Sequence, residues 1–320
     1  GYATRAKRML DWLVSIQLPD GGFEGGMIDQ APKVPVTFNT GQILIGLAAG
    51  AERLGSPYDA AMHKAAMWLL GTMDDDGAWR KFPTPFAANG EKAYETHVAW
   101  GLLEAARVSK NEAYLEGAMR NIRWALTKQL ENGWVMDCCL TEPNAPLTHT
   151  LGYYLRGLVE AYRATKDAEV LEAALRTAHG LHGALQEDGY LPGRLDWNFH
   201  PTVDWSCLTG TAQIAHSWIL LAEATEEWGL YRSAEVALGY VARRVSRDGE
   251  ADVRGAVKGS YPVDGGYCTL QYPNWATKFF IDAALEFEAA GLRNRSKQGR
   301  AAANGAVRNE AELRAMANEQ

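Results

Sequence analysis

The chain has 320 residues, of which 47% are hydrophobic, and carries a formal net charge of −7. Because it has no dense stripe of lysine and arginine, we do not expect it to bind nucleic acid. No apolar run approaches the roughly 18 residues that a membrane-spanning helix needs, so we expect no membrane span, and we expect no signal peptide. Its four cysteines are too few for a disulfide framework, so we expect a reducing, cytoplasmic location.

One turn recurs five times along the sequence. Each copy contains an Asp-Gly or Asn-Gly pair, and these pairs begin at residues 20, 76, 132, 188 and 248, so that successive copies lie 56, 56, 56 and 60 residues apart. Glycine accepts the positive φ that ends a helix, and Asp or Asn tolerates the adjacent turn position. The aromatic residue that follows, as in Gly77-Ala78-Trp79, is expected to pack back over the helix that has just ended. A fixed period of this length indicates a repeat architecture.

Each repeat is predicted to contain an outer helix, the turn, a long loop and an inner helix. The inner segments are apolar nearly all round, as expected for helices that are packed on every side. The predicted outer helices cover residues 3–17, 59–73, 111–130, 167–185 and 228–245, and the predicted inner helices cover 38–54, 93–108, 147–165, 204–225 and 273–290.

Five hairpins wound in the same sense predict an all-α fold, an (α/α) toroid in which the inner helices form a barrel and the outer helices a jacket. Residues 1–291 are predicted to form one domain, because each hairpin needs its neighbours to cover its apolar face. Residues 292–320 are predicted to be a polar tail that is frayed or forms a short helix. The long loops then share one rim. Gly46, Gly101 and Gly157 are expected to let inner and outer helices approach closely.

The turn Gln17-x-x-x-Gly21-x-Phe23 resembles the Gln-Trp repeat of squalene and terpene cyclases and of protein prenyltransferases. This resemblance covers most of residues 1–291 and implies the toroid rather than an activity. The segment Met-Asp-Asp-Asp at 73–76 is not the Asp-x-Asp-Asp of a class II cyclase. Asp204 and Cys207 are three residues apart, whereas a prenyltransferase zinc site has this pair two apart. The zinc motifs of lanthionine cyclases are absent.

More broadly, the sequence resembles toroidal carbohydrate-active enzymes, namely six-hairpin glycoside hydrolases, polysaccharide lyases and uronyl epimerases. This resemblance implies an enzyme that acts on a polysaccharide or glycoside, either as a hydrolase or as a lyase or epimerase of a chain containing uronic acid. A sugar is then the expected partner, and no cofactor is expected. Two alternatives stay open: an isoprenoid-handling toroid of the cyclase or prenyltransferase type, and a non-catalytic repeat scaffold.

The candidate catalytic residues are polar groups at the start of the inner helices, where they would face a bowl at the long-loop rim. A charged or imidazole side chain on such an apolar helix costs desolvation energy unless it is paired or used. Glu95, His149 and Asp204 begin three consecutive inner helices, and Tyr153 lies one turn beyond His149. We expect Glu95 or Asp204 to act as general acid or base while His149 and Tyr153 transfer protons. Two acids would suit hydrolysis, whereas the His–Tyr pair would suit elimination or epimerisation.

Other polar and aromatic residues at the same rim are candidates for substrate binding. The loop at 192–200 concentrates a cation, an acid, aromatic rings and an imidazole, and Arg194 is expected to position an anionic group. Aromatic faces at the rim would stack on sugar rings. The candidate substrate-binding residues are Asn39, His97, Arg194, Asp196, Trp197, His200, Trp205, Tyr272, Asn274 and Trp275.

Three cysteines at this rim, Cys138, Cys139 and Cys207, could form a tetrahedral zinc site together with His149 or His200. Their spacing matches no standard zinc pattern, and buried free cysteines are common in proteins. We therefore expect the protein to require no metal.

Overall fold

The computed structural model describes residues 1–26, 31 and 33–317, and the side chains through Ser296. This part of the chain is mostly helical and contains almost no strand, which confirms the predicted all-α class. Its helices are α1 (Tyr2–Ile16), α2 (Thr37–Leu54), α3 (Tyr58–Thr72), α4 (Thr96–Ser109), α5 (Glu112–Leu126), α6 (Thr148–Thr165), α7 (Ala168–Gly183), α8 (Leu208–Thr225), α9 (Trp228–Ala242) and α10 (Asn274–Ala317). A turn of 3-10 helix (Ala93–Glu95) precedes α4, and the short strands β1 (Ser206–Cys207) and β2 (Ser260–Tyr261) pair antiparallel.

The even-numbered helices form the inner ring. Helices α2, α4, α6, α8 and α10 pack side by side in chain order, and α3, α5, α7 and α9 pack on their outer side. Leu44, Leu102 and Leu158 on the inner helices are completely buried, so the predicted winding of the hairpins is confirmed. The predicted boundary at residue 291 falls inside α10, which continues to Ala317. Residues 318–320 of the predicted tail lie outside the described residues.

The glycine of each repeat turn lies against the backbone of the next outer helix. Gly77 and Gly133 have φ values of +98° and +85°. A Cβ atom on Gly77 would lie 2.5 Å from the carbonyl oxygen of Arg120 in α5, and one on Gly133 would lie 2.4 Å from that of Arg176 in α7. These turns therefore require glycine both for the positive φ and for the close approach.

Hydrogen bonds from the turn residues hold successive hairpins together. The Gln129 side-chain amide donates to the carbonyl oxygen of Ala173 in α7 at 2.8 Å. The Trp79 indole N–H donates to the carbonyl oxygen of Leu69 in α3 at 2.9 Å, which confirms that this aromatic residue packs back over the helix it follows. A repeat turn is thus attached to the outer helix that it follows at Trp79 and to the next outer helix at Gln129.

Glycines of the inner helices allow neighbouring inner helices to approach closely. A Cβ on Gly101 would lie 2.5 Å from the carbonyl oxygen of Gly41 in α2, and one on Gly157 would lie 2.4 Å from that of Thr96 in α4. The close approach is therefore between neighbouring inner helices, not between inner and outer helices as expected. The expectation for Gly46 is wrong, because no atom lies within 4 Å of its missing Cβ.

Replacing Gly157 with alanine should lower the free energy of unfolding by about 1–3 kcal/mol, because the methyl group would force α4 and α6 apart. The matched change Gly46→Ala meets open space within a helix and should raise the free energy of unfolding by about 0.5–1 kcal/mol. Urea unfolding of both variants measures the two effects. Equal effects at the two positions would contradict the inner-helix packing described above.

Candidate active site

A cluster of rings fills the centre of the toroid at the N-terminal ends of the inner helices. The ring centroid of Tyr153 lies 4.8 Å from that of Phe38 on α2, 4.6 Å from that of His97 on α4 and 4.4 Å from that of His149 on α6. Phe279 of α10 lies 6.0 Å from Tyr153. We call these five residues the His–Tyr cluster. It brings together three of the residues proposed from the sequence: His97, His149 and Tyr153.

Each histidine of the cluster is held by a glutamine on a neighbouring inner helix. The Nδ1 atom of His149 lies 2.7 Å from Oε1 of Gln213 on α8, and Nδ1 of His97 lies 2.5 Å from Nε2 of Gln42 on α2. An amide oxygen accepts a proton from His149 Nδ1, whereas an amide N–H donates to His97 Nδ1. The two contacts fit opposite tautomers, in which the lone pair is on Nε2 of His149 and the proton is on Nε2 of His97.

Burial keeps the cluster uncharged. It lowers the pKa of His149 to about 4, although the hydrogen bond to Gln213 acts in the opposite direction. Burial also holds the pKa of His97 well below its ordinary value, and the positive charges of Arg156 and Lys278 add to the effect. The pKa of the buried Tyr153 phenol is raised. At neutral pH the site therefore offers two neutral imidazoles on either side of a protonated phenol.

On the long-loop side the cluster is covered by two aromatic residues. The Tyr267 ring lies 5.0 Å from that of His149, and its hydroxyl accepts a hydrogen bond from the Trp275 indole N–H at 2.9 Å. The Trp275 side chain is partly exposed at the start of α10. Sequence reasoning identified Trp275 but not Tyr267, which belongs to a loop without periodicity.

Charged residues lie on the opposite side of the cluster, beyond Trp100. The Trp100 ring lies 5.0 Å from that of His97, and the Arg156 guanidinium lies 4.5 Å from the centroid of the Trp100 ring. A groove of about 800 Å³ opens at this end, the rim of the short connections. Its lining includes Trp100, Glu104, Arg107, Lys110, Glu160 and Arg163. The polar part of the ring is therefore at the end opposite to the predicted bowl.

The two carboxylates proposed as acid or base do not contact the cluster by a hydrogen bond or ion pair in the described part of the chain. Glu95 is buried in the 3-10 turn before α4, and its Oε2 atom has no hydrogen-bond partner there. Burial raises its pKa well above the ordinary value, although the charge of Lys92 acts in the opposite direction. Asp204 is exposed, and the neighbouring carbonyl of Val203 accepts from Tyr190 in a repeat turn. The cluster thus contains His149 and Tyr153, and neither Glu95 nor Asp204 forms a hydrogen bond or ion pair with it.

The loop at 192–200 folds outward onto the jacket. The Phe199 ring lies so close to Gly180 of α7 that a Cβ there would be 2.3 Å away. Asp196 accepts the backbone N–H groups of Asn198 and His200 at 2.8 and 2.9 Å, so it shapes the turn. Trp197 is largely exposed. The density of functional side chains in this loop is therefore explained by turn geometry and by attachment to α7.

Further candidates hold loops in place. The Arg194 guanidinium donates to the carbonyl oxygen of Ala145 at 2.6 Å and pairs with Glu142 at 3.2 Å. The Asn39 amide donates to the carbonyl oxygen of Glu24 at 3.2 Å. The remaining candidates lie around the loop that carries Tyr267: Trp205, which packs against Gly265 and Gly266, Tyr272, which is half-buried, and Asn274, which is exposed.

The cysteines are free thiols in apolar or hydrogen-bonded surroundings. The Cys138 thiol donates to the carbonyl oxygen of Thr150 at 3.4 Å, Cys139 is buried nearby, and Cys207 packs with Leu147. Burial raises the pKa of Cys207 to about 12. Within the described residues, no three metal-ligating side chains are grouped so as to hold an ion.

No family model matches the sequence, and no curated protein matches it. The fold is similar to that of D-mannose isomerase (TM-score 0.68, 15% identity, 92% of this chain and 84% of that chain). It is also similar to unsaturated glucuronyl hydrolase from Bacillus sp. GL1 (0.65, 16%, 78% and 74%). A third similar structure is the GH76A α-1,6-mannanase of Salegentibacter sp. HEL1_6 (0.65, 17%, 92% and 86%). The resemblance to toroidal carbohydrate-active enzymes is thus confirmed at the level of the fold.

Within the described residues, no helix combines the length and the apolar character of a bilayer span.

The buried, neutral state of His149 predicts a loss of stability in acid. In the unfolded chain this histidine takes up a proton as the pH falls through 6.5, whereas in the folded protein it does so only near pH 4. Folding is therefore progressively disfavoured across this window, by roughly 3 kcal/mol once the pH is below 4. The variant His149→Gln cannot titrate, so its free energy of unfolding should fall less between pH 7 and pH 4. Denaturant unfolding measured at several pH values tests this, and identical profiles for variant and wild type would contradict it.

Proposed function

We propose that this protein is a carbohydrate-active enzyme that transfers protons within a sugar, as an isomerase or epimerase does. The observation that carries the proposal is the pair of buried histidines, His97 and His149, whose rings both pack against Tyr153 and whose Nδ1 atoms each contact a glutamine. The fold supports it, because the similar structures include enzymes whose names state that they isomerise or hydrolyse sugars. The four free cysteines support a reducing, cytoplasmic location.

Proton transfer next to a carbonyl group needs a base for the carbon-bound hydrogen and an acid for the oxygen. In the proposed mechanism, the lone pair on Nε2 of His149 removes the proton from the carbon beside the carbonyl. The proton on Nε2 of His97 is given to the carbonyl oxygen, so that an enediol forms. For the isomer, His149 returns its proton to the former carbonyl carbon, and His97 removes the proton from the other enediol oxygen. For the epimer, His97 instead gives its proton to the opposite face of the carbon that lost one, and transfer of a proton from His149 back to His97 restores both histidines. The Tyr153 hydroxyl would hydrogen-bond to the oxygen that becomes negatively charged.

Hydrolysis by two carboxylates has less support from the geometry. It needs one protonated and one ionised acid facing each other across the sugar. Two acids of the inner helices are already paired: Glu160 with Arg156 at 2.7 Å, and Asp282 with Lys278 at 2.7 Å. β-Elimination from a uronic acid starts with the same abstraction of a proton and is the second candidate. It differs by releasing an unsaturated product.

The proposal is tested by incubating the protein with a panel of aldoses, ketoses and uronic acids in D2O. Proton transfer predicts deuterium at the carbon next to the carbonyl group, which NMR detects. His149→Gln, His97→Gln and Tyr153→Phe should each lower kcat by roughly 10²- to 10⁴-fold. The control is His179→Gln, which replaces an exposed histidine of the outer helix α7 and should keep wild-type turnover.

Two outcomes would contradict the proposal. One is the release of reducing sugars from glycans without incorporation of deuterium, which would indicate hydrolysis. The other is folded His97, His149 and Tyr153 variants that all retain wild-type turnover on an accepted sugar. Thermal unfolding of each variant establishes that a loss of turnover is not a loss of fold.

A further inference from the structure

Two cations of the long loop between α9 and α10 lie beside one tyrosine ring. The guanidinium carbon of Arg244 is 3.2 Å from the ring centroid of Tyr240, at the end of α9, and 4.3 Å from that of Tyr261 in β2. The two ring centroids are 6.3 Å apart, so the guanidinium lies between them. The ammonium group of Lys258 is 5.9 Å from the Tyr261 centroid. We call these four residues the cation–tyrosine site.

The Arg244 guanidinium is held in place, but most of its donors are unused. Its Nη1 atom donates to the carbonyl oxygen of Tyr240 at 2.9 Å. Its buried Nε atom has no hydrogen-bond partner in the described part of the chain, and its Nη2 atom forms no hydrogen bond there either. Packing between two aromatic rings limits the freedom that this side chain has in water. The guanidinium is therefore preorganised to donate to a further acceptor.

No acid of the described residues neutralises the two cations. Arg244 and Lys258 are both half-buried, and neither lies within ion-pair distance of a carboxylate in that part of the chain. Two positive charges beside one ring repel each other, and a negative charge between them would turn this repulsion into attraction. Arg194, the residue expected from the sequence to position an anionic group, is instead paired with Glu142.

We propose that the cation–tyrosine site binds a small ligand that carries a carboxylate or a phosphate group, as a sugar acid or a sugar phosphate does. The planar guanidinium matches both groups, because it can donate two parallel hydrogen bonds to their oxygens. Lys258 adds a second positive charge, and the 38% exposed Tyr261 ring makes the site accessible from solvent. The sugar part of this inference rests on the proposed function, whereas the anionic part rests on the site alone.

The site adjoins the loop that covers the His–Tyr cluster. Ser260, next to Tyr261, donates from Oγ to the carbonyl oxygen of Tyr267 at 2.7 Å and accepts from the Tyr267 backbone N–H at 3.0 Å. The Tyr267 ring in turn lies 5.0 Å from that of His149. A ligand that bridges Arg244 and Lys258 would hold Tyr261 between them and thereby steady this loop. We therefore expect a bound anion to slow hydrogen exchange in residues 259–268.

Isothermal titration calorimetry of the full chain with glucuronate, glucose 6-phosphate and inorganic phosphate tests the proposal. At least one of these anions should bind saturably, whereas glucose, the neutral control, should not. Binding of glucuronate alone identifies the carboxylate as the ligand group, and binding of the two phosphate compounds identifies the phosphate. Hydrogen exchange measured by mass spectrometry with the bound anion checks the expected protection of residues 259–268.

Substitutions assign the binding to this site. Arg244→Gln should raise the Kd of the bound anion by about tenfold or more, and Arg244→Lys, which keeps the charge but loses the planar fork, should raise it by less. Lys258→Gln should also weaken binding. Arg247→Gln is the matched control, because it removes the same charge from an exposed position three residues beyond Arg244, and it should bind like the wild type.

Several outcomes would overturn the proposal: no saturable binding of any of the three anions, equal binding of glucose, or equal weakening by Arg247→Gln. Wild-type affinity in folded Arg244→Gln and Lys258→Gln variants, or unchanged hydrogen exchange in residues 259–268, would do so as well. The variant His149→Gln separates this site from the proposed active site, because it should still bind the anion, and a complete loss of binding there would contradict the assignment. None of these measurements needs turnover, so the site can fail without affecting the proposed activity.

Discussion

The contact between each repeat turn and the next outer helix is the constraint on which the rest of the structure depends. At Gly77 the turn lies so close to the backbone of Arg120 that no side chain fits between them. Gln129 makes the equivalent attachment one hairpin later through its hydrogen bond to Ala173. Because the same contact recurs with the same chain length between copies, each hairpin is placed on the last in a similar way and the series curves into a ring. The curvature then directs the first turns of the inner helices towards one point.

Convergence at that point has an electrostatic consequence. Side chains from four inner helices exclude solvent from one another, so His97, His149 and Tyr153 remain uncharged. The charged groups of the ring lie nearer the other end, where they neutralise one another in pairs such as Arg156 with Glu160. An active site of this kind suits the movement of protons between neutral groups. It suits much less a reaction that requires an ionised carboxylate in contact with the substrate.

The sequence was sufficient for the fold because the repeat leaves a signal at a fixed period. It also pointed to His149 and Tyr153, since polar groups on an otherwise apolar helix are costly unless they are paired. Gln42 and Gln213 could not be recognised in this way. Their role depends on how far neighbouring helices are rotated, and this rotation is set by close contacts such as that of Gly101 with α2.

The residues of loop 192–200 were misleading, because the same residue types occur in binding loops and in tight turns. Aspartate and aromatic residues are typical of binding loops, but they are also what a tight turn needs. Here the Asp196 carboxylate accepts hydrogen bonds from the backbone N–H groups of Asn198 and His200. The Phe199 ring packs on Gly180 of α7. Composition cannot distinguish ligand binding from stabilisation of a turn, because both depend on the same side-chain groups. They differ only in the direction that the loop takes.

Helix α10 connects the centre of the ring to its last outer helix. Phe279 contacts Tyr153 inside the ring, while Ile281, two residues further on, is exposed. Residues two apart on a helix point to nearly opposite sides, so α10 meets the His–Tyr cluster with one face only. The helix is held by α8 and α9. The position of Phe279 against Tyr153, and with it the packing around both histidines, therefore depends on how α8 and α9 hold α10.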